Sequence, residues 1–207
     1  MAALLAIFVA AYLLGCIPSG LLLARLKNVD VRQTGSGNIG ATNVARSAGK
    51  GLGLLTLLLD AAKGAVPVLV ADALHLFPGA NPAFDRNATI AAALGAVLGH
   101  VFPATLRFRG GKGVATALGA IAALAPASLP IPLLAFVVSF GITRRVSVGS
   151  ICAAMAAPFG SVAAGYPPQV SAAIAALSCV ILYRHRENMA RIRAGTEPRF
   201  GDGSQRD

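Results

Sequence analysis

Residues 113–143 read GVATALGAIAALAPASLPIPLLAFVVSFGIT, 31 positions without a charged side chain. Such a run marks a segment that crosses a lipid bilayer, because about 20 apolar residues in a helix span the hydrocarbon core. One straight helix of this length would reach roughly 46 Å, against a core of about 30 Å. Pro126, Pro130 and Pro132 sit near its middle. Proline removes a backbone donor and clashes with the preceding turn. The stretch therefore predicts a helical hairpin, two short spans joined at the prolines.

The same reading extends along the chain. Val146 to Tyr183 is a second long uncharged run, broken by GYPP at 165–168, and it too predicts a hairpin. Ala2 to Ala24 carries no charge and suffices for one crossing. It has no charged region before it and no clear cleavage site, so it is expected to be a retained span rather than a signal peptide. Gly51 to Phe77 is apolar but interrupted by Asp60, Lys63, Asp72 and His75. Pro78 to Asn87 reads as a turn-rich connection, and Ala88 to Leu106 as a third span. The total is about seven transmembrane helices, some short or broken. The expected fold is an all-α polytopic integral membrane protein, a single domain over residues 1–207. Its cytoplasmic glycine-rich loops are expected to form the active site.

Composition agrees. The chain is 56% hydrophobic and 13% charged, with mean hydropathy +0.69, whereas a soluble domain carries about 25% charged residues. The net charge of +10 does not indicate nucleic acid, because the basic residues sit in short clusters between apolar runs without interleaved aromatics. With seven spans, residues 25–50, 107–112, 144–145 and the tail fall on one side and hold 16 of the 18 Lys and Arg residues. Arg86 lies on the other side and Lys63 within a span. The positive-inside rule then predicts an outside N-terminus and a cytoplasmic C-terminus. Cys16, Cys152 and Cys179 lie in apolar segments, fit no metal spacing, and read as inert packing residues. No metal or cofactor is expected.

Three polar clusters fall on the cytoplasmic side. TGSGNIGATNVAR, 34–46, contains Gly35-x-Gly37-x-x-Gly40. A Rossmann site would need a preceding strand and a soluble second strand ending in an acid; Asp60, at the right spacing, lies instead inside an apolar span. The glycines are expected to take positive φ and gather N–H groups into an anion-binding nest. Ser36 and Thr42 supply hydroxyls, Asn38 and Asn43 amides, and Arg46 a bidentate cation. RGGKG, 109–113, offers Gly110, Gly111 and Gly113 around Lys112. It is not a Walker A loop: Leu106 stands where the first glycine belongs, and Gly113 where Ser or Thr is required. The third cluster is YRHRENMARIRAGTEPR, 183–199. On a helix prolonging the last span, His185 and Asn188 share a face, Glu187 and Arg191 pair at i,i+4, and Glu197 ties the tail to a basic loop. Asp60 and Lys63, three apart within a span, are expected to form an ion pair. His100 reads as structural.

Taken together, SGNIGATNVAR, GHVFPATLRFRGGKGVAT and YRHRENMARIRAGTE resemble the three signature segments of the bacterial acyl-phosphate:glycerol-3-phosphate acyltransferase family. AYLLGCIPSG and LDAAKG are similar to its first two spans. The resemblance covers all but the last few residues, with the motifs in the same order. It implies transfer of a fatty acyl group from acyl phosphate to the 1-hydroxyl of glycerol 3-phosphate, giving lysophosphatidic acid and inorganic phosphate. By the same resemblance Ser36 and Arg46 contact substrate phosphates, with Gly37, Asn38, Thr42 and Asn43 in the binding loop. Lys112 with Gly110, Gly111 and Gly113 helps bind glycerol 3-phosphate, His185 and Asn188 position it, and Glu197 is structural. Ile39 departs from the proline of many members and carries no donor group. The implied partners are the two substrates and the bilayer, without nucleic acid or an obligate protein partner. The implied location is the bacterial cytoplasmic membrane.

Two other classes can be weighed on residues. An acyl-CoA-type acyltransferase would carry His-x4-Asp, but Ala80, Thr105 and Ala190 stand five after the three histidines. An organic-phosphate transporter would suit broken helices and the Asp60/Lys63 pair, yet it predicts polar groups near mid-membrane rather than at one surface. The proton acceptor stays open between a substrate phosphate and His185.

Overall fold

The computed structural model describes residues 1–73 and 82–201, with backbone only for 82–85. Among the described residues all regular structure is helical. The order is α1 (Ala2–Gly15), α2 (Ser19–Arg25), α3 (Ala41–Ser47), α4 (Lys50–Ala73), α5 (Pro82–Val101), α6 (Val114–Leu124), α7 (Pro130–Thr143), α8 (Val146–Ala163), α9 (Pro168–Arg184) and α10 (Arg186–Arg193). Among the described residues five segments are long and apolar enough to cross a membrane: Ala2–Arg25, Lys50–Ala73, Arg86–Leu106, Pro126–Thr143 and Val146–Ala163. Val114–Leu124 and Pro168–Arg184 are shorter apolar helices.

Both runs break where the prolines foretold, and in the second run the two halves, α8 and α9, pack on each other. The first run stops at Leu124, makes a short 3-10 turn over Pro126–Ser128, and resumes at Pro130. The second stops at Ala163 and resumes at Pro168. The third span differs: its helix begins at Pro82 and ends at Val101, with a 3-10 turn at Ala104–Leu106. Residues 82–87 of the expected connection are therefore helical, consistent with the preference for proline in a first helical turn. Residues 78–81 of that connection, and 74–77 of the second span, lie outside the described residues.

The chain divides into two compact units, Met1–Leu124 and Ala125–Asp207. In the first, α1 packs on α5, and α4 packs on both α5 and α6. Gly95 and Gly99, one turn apart on α5, face the α1 backbone at Phe8 and Tyr12 so closely that a Cβ at either would overlap it. Small residues at such a contact let helices approach where lipid supplies no hydrophobic drive. Helix α4 inverts the pattern of a soluble helix. Its buried face is Gly53, Thr56, Asp60, Lys63, Gly64, Val68 and Ala71, while Leu54, Leu58 and Leu69 are exposed. An apolar outside over a polar, small-residue inside is what a hydrocarbon solvent selects.

The first apolar segment breaks between Cys16 and Pro18. Its carbonyls are satisfied from elsewhere in the unit. Lys63 Nζ donates to the Ile17 carbonyl at 2.7 Å, and Thr105 Oγ1 donates to the Cys16 carbonyl at 3.3 Å. Tyr12 Oη donates to the Phe102 carbonyl at 2.7 Å and accepts from the Ala104 amide at 3.1 Å. In the second unit α7 packs on α8, α8 on α9, and α10 follows α9.

Candidate active site

The 34–46 loop is organised by one side chain. Asn43, 2% exposed, accepts the Ser36 amide on Oδ1 at 2.9 Å. Its Nδ2 donates to the carbonyls of Val31, Thr34 and Asn38 at 2.8, 3.1 and 2.8 Å. The two Nδ2 protons are shared among three carbonyls while Oδ1 holds the Ser36 amide, so Asn43 works inside the loop. Gly35 and Gly37 take φ of +58° and +67°, as the nest requires. Gly40 does not: at φ −78° and ψ 164° it is extended and stands at the N-terminus of α3. Its amide is taken by Asn38 Oδ1 at 2.8 Å. What the loop presents outward is Ser36, Gly37 and Arg46, all exposed, with Thr42 half-buried. Thr42 and Arg46 are one turn apart on α3, which places them on the same face.

The RGGKG loop is built on a different principle. The chain turns sharply after the 3-10 turn, with Arg107 and Phe108 at φ +51° and +62°. It then runs back along the end of α5. The Gly110 amide donates to the Val101 carbonyl at 3.2 Å, and the Gly111 amide to the His100 carbonyl at 3.1 Å. A Cβ on Gly110 would overlap the His100 carbonyl, and one on Gly111 would overlap His100 Nε2. These two glycines are close-packing residues rather than a flexible anion cradle, and their donors are already used. Gly113 is the one that needs its conformational freedom, at φ +82°. Lys112, half-buried, lies between the clamped pair and α6.

Beneath this loop is a buried ionisable group. Lys63 Nζ lies 2.8 Å from Asp60 Oδ1, the ion pair expected at that i,i+3 spacing. His100 Nδ1 approaches the same oxygen at 3.6 Å. The sequence does not disclose that the His100 ring reaches both Asp60 and Gly111. A histidine at a helix end, ten residues before a glycine pair, is the signal that was there to find.

In the second unit the 183–199 cluster differs from a single prolonged helix. The helix breaks at His185, whose φ of −96° and ψ of 6° leave the helical region, and α10 begins at Arg186. His185 and Asn188 are both buried, at 2% and 3% exposure. His185 Nδ1 lies 2.8 Å from the Ile181 carbonyl. A carbonyl only accepts, so Nδ1 carries the proton, and in the neutral ring Nε2 is the basic nitrogen.

Glu187 and Arg191 do not pair. Glu187 is exposed, with Arg186 at 3.9 Å. Gly195, at φ +73°, turns the chain back and brings Glu197 to Arg191 Nε at 2.8 Å and to Asn188 Nδ2 at 2.7 Å. A less exposed carboxylate gains more from the same cation. The tie to a basic loop forms through the backbone: Arg145 Nε donates to the Glu197 carbonyl at 3.0 Å. Burial pushes the Glu197 carboxyl up, but Ser147, Asn188 and Arg191 pull it further down, below the usual carboxylate range.

Residues 5–195 match the family model described as glycerol-3-phosphate acyltransferase. A protein of that name from Geobacter sulfurreducens is 46% identical over 190 residues, covering 92% of this chain and 94% of the relative. Another from an Anaeromyxobacter species is 48% identical over 198 residues, covering 95% and 96%. Among solved structures, PlsY, an integral membrane glycerol 3-phosphate acyltransferase, matches in its glycerol 3-phosphate form with TM-score 0.86 and 41% identity over 96% of both chains. Its lysophosphatidic acid form matches with TM-score 0.84 over the same share. The family match takes in the first two polar clusters and residues 183–195 of the third, and at this identity and coverage the chain belongs to the glycerol-3-phosphate acyltransferase family of integral membrane proteins.

Proposed function

We propose that this protein transfers a fatty acyl group from acyl phosphate to the 1-hydroxyl of sn-glycerol 3-phosphate, releasing lysophosphatidic acid and inorganic phosphate in bacterial phospholipid synthesis, with residues 1–207 serving that one activity. The observation that carries the proposal is the near full-length match to a relative whose solved forms are named for glycerol 3-phosphate and lysophosphatidic acid. The loop geometry supports it. An exposed serine and arginine on a loop held rigid from inside, and a lysine between a clamped glycine pair and a helix start, suit phosphate-bearing substrates.

Acyl phosphate is a mixed anhydride. The glycerol hydroxyl attacks its carbonyl carbon, the carbon–oxygen bond to phosphate breaks, and phosphate leaves with the electron pair. The hydroxyl proton passes to a phosphate oxygen, or to His185 Nε2, the nitrogen not engaged with the Ile181 carbonyl. Such a reaction needs positioning and charge stabilisation rather than a covalent nucleophile. Ser36 and Arg46 are assigned to substrate phosphate, Lys112 to the phosphate of glycerol 3-phosphate, and His185 and Asn188 to its orientation. Gly37, Asn38 and Thr42 shape the first loop, which Asn43 holds from within, and Gly110, Gly111 and Gly113 shape the second. The protein is placed in the cytoplasmic membrane, N-terminus outside and both glycine-rich loops inside.

The purified protein, given glycerol 3-phosphate with acyl phosphate or with acyl-CoA, is expected to form lysophosphatidic acid only with the first. Comparable rates with acyl-CoA alone would overturn the donor assignment, and uptake of glycerol 3-phosphate into vesicles without acyl donor would favour a transporter. A cysteine near Arg86 should react with an impermeant reagent from outside the cell and one near Gly110 should not; the reverse would overturn the topology.

A further inference from the structure

We infer that the buried Asp60–Lys63–His100 cluster is the frame that fixes the Lys112 loop, and that His100 is a positioning residue for acyl transfer. The inference rests on the assignment of Lys112 to substrate phosphate.

The cluster lies within the first unit, on helices that otherwise present small or apolar residues to one another. The side chains of Asp60, Lys63 and His100 are 3%, 6% and 4% exposed. Three ionisable groups removed from water in membrane helices are costly, and packed apolar residues of the same volume would often be more stable. Fold stability alone is therefore a weak reason for their presence.

Their geometry supplies a better one. Lys63 is anchored twice, to Asp60 Oδ1 at 2.8 Å and to the Ile17 carbonyl at 2.7 Å. Asp60 Oδ1 in turn lies 3.6 Å from His100 Nδ1, so the buried carboxylate stands against one edge of the imidazole. The opposite edge, at Nε2, occupies the space a side chain at position 111 would need. The same residue's carbonyl takes the Gly111 amide at 3.1 Å, and the neighbouring Val101 carbonyl takes that of Gly110 at 3.2 Å. The backbone entering Lys112 is thus pressed against a ring that packs beside a buried ion pair. On the far side, the Gly113 carbonyl accepts the Ala117 amide at 2.8 Å and starts α6. A lysine is a long, freely rotating cation; its aim is set by where its Cα is held, and here both sides of that Cα are held. A displacement of about 1 Å at such a point can lower turnover by on the order of 100-fold.

The test is a double-mutant cycle in kcat/KM for glycerol 3-phosphate, with acyl phosphate saturating, on His100→Ala, Lys112→Ala and the double variant. Each single change is expected to lower kcat/KM at least tenfold. The double variant is expected to fall within about twofold of Lys112→Ala alone, because His100 acts through Lys112. Losses that multiply would overturn the inference while leaving the Lys112 assignment standing. A Lys112→Ala variant with near wild-type kinetics would overturn that assignment, and the inference with it. Should His100→Ala fail to accumulate in the membrane, His100→Asn, which keeps an N–H donor for Asp60 and withdraws the ring edge from Gly111, carries the same cycle with the same expected outcome.

Discussion

The two glycine-rich loops of the first unit look alike as strings of letters and are built in opposite ways. In the 34–46 loop, glycine supplies backbone conformation: Gly35 and Gly37 are left-handed, and the loop's rigidity comes from Asn43 inside it. In the 109–113 loop, Gly110 and Gly111 supply absence of volume, and rigidity comes from His100 outside it. One loop is self-supporting with an exposed rim; the other is moulded onto a helix end. Substitutions that look equivalent should therefore have unequal effects.

The largest effect is expected at Gly111. A methyl group there meets the buried His100 ring. Overpacking of this kind costs about 1–3 kcal/mol, and the displaced loop carries Lys112 with it. Gly111→Ala should lower kcat/KM by on the order of 100-fold or more, measured at matched membrane content, with a lower melting temperature in detergent. A mild phenotype would dissolve the contrast between the loops.

Lys112→Ala is next. A charge-assisted hydrogen bond contributes about 1.5–3 kcal/mol, which predicts a loss in kcat/KM of on the order of 10- to 100-fold. Lys112→Arg should recover only part of it, since a guanidinium is wider than an ammonium. Full recovery by arginine would reduce Lys112 to a topological anchor.

Asn43→Ala should lower activity about tenfold and loosen the loop. It leaves the Ser36 amide and three carbonyls without their partner, and unpaired buried groups cost about 1–3 kcal/mol each before water enters. Hydrogen exchange at the Ser36 amide would report the loosening; unchanged protection would refute the internal clamp.

Gly37→Ala should cost much less than Gly111→Ala. Its φ of +67° is strained for an L-residue, by about 1–2 kcal/mol, but the position is exposed. Steady-state kinetics should show a loss of severalfold, and a loss equal to that of Gly111→Ala would mean that both loops are moulded.

The smallest effect is expected at Asp30, beside the first loop. Hydrogen bonds from Arg32 lower its pKa from 3.8 to about 2. Such a depressed carboxylate favours the folded state above its ordinary pKa and loses that contribution as pH falls toward 2. The pair is solvent-exposed, where salt bridges contribute little. Asp30→Asn should leave kcat/KM at neutral pH within about twofold.

The prolines at 126, 130, 132, 167 and 168 were legible because their effect is local: each denies a donor to its own helix. Hence the two breaks. The three clusters were legible because polarity between apolar runs needs no tertiary knowledge. What stayed hidden depended on distant partners. Glu187 has the right helical spacing for Arg191, but Glu197 reaches it through the turn at Gly195. Gly40 shares its letter with Gly35 and Gly37 yet is extended, because a helix starts there. Whether a glycine is kept for its φ or for the room it leaves is decided by the neighbour, and His100 stands ten residues before the glycine pair it shapes.

The break before Pro18 also bears on how the protein is made. The carbonyls of Ile17 and Cys16 receive their side-chain partners from Lys63 and Thr105, 46 and 89 positions later in the chain. A ribosome delivers the break to the insertion machinery well before it delivers either partner. The break near the front of this chain is therefore completed only by side chains synthesised long after it.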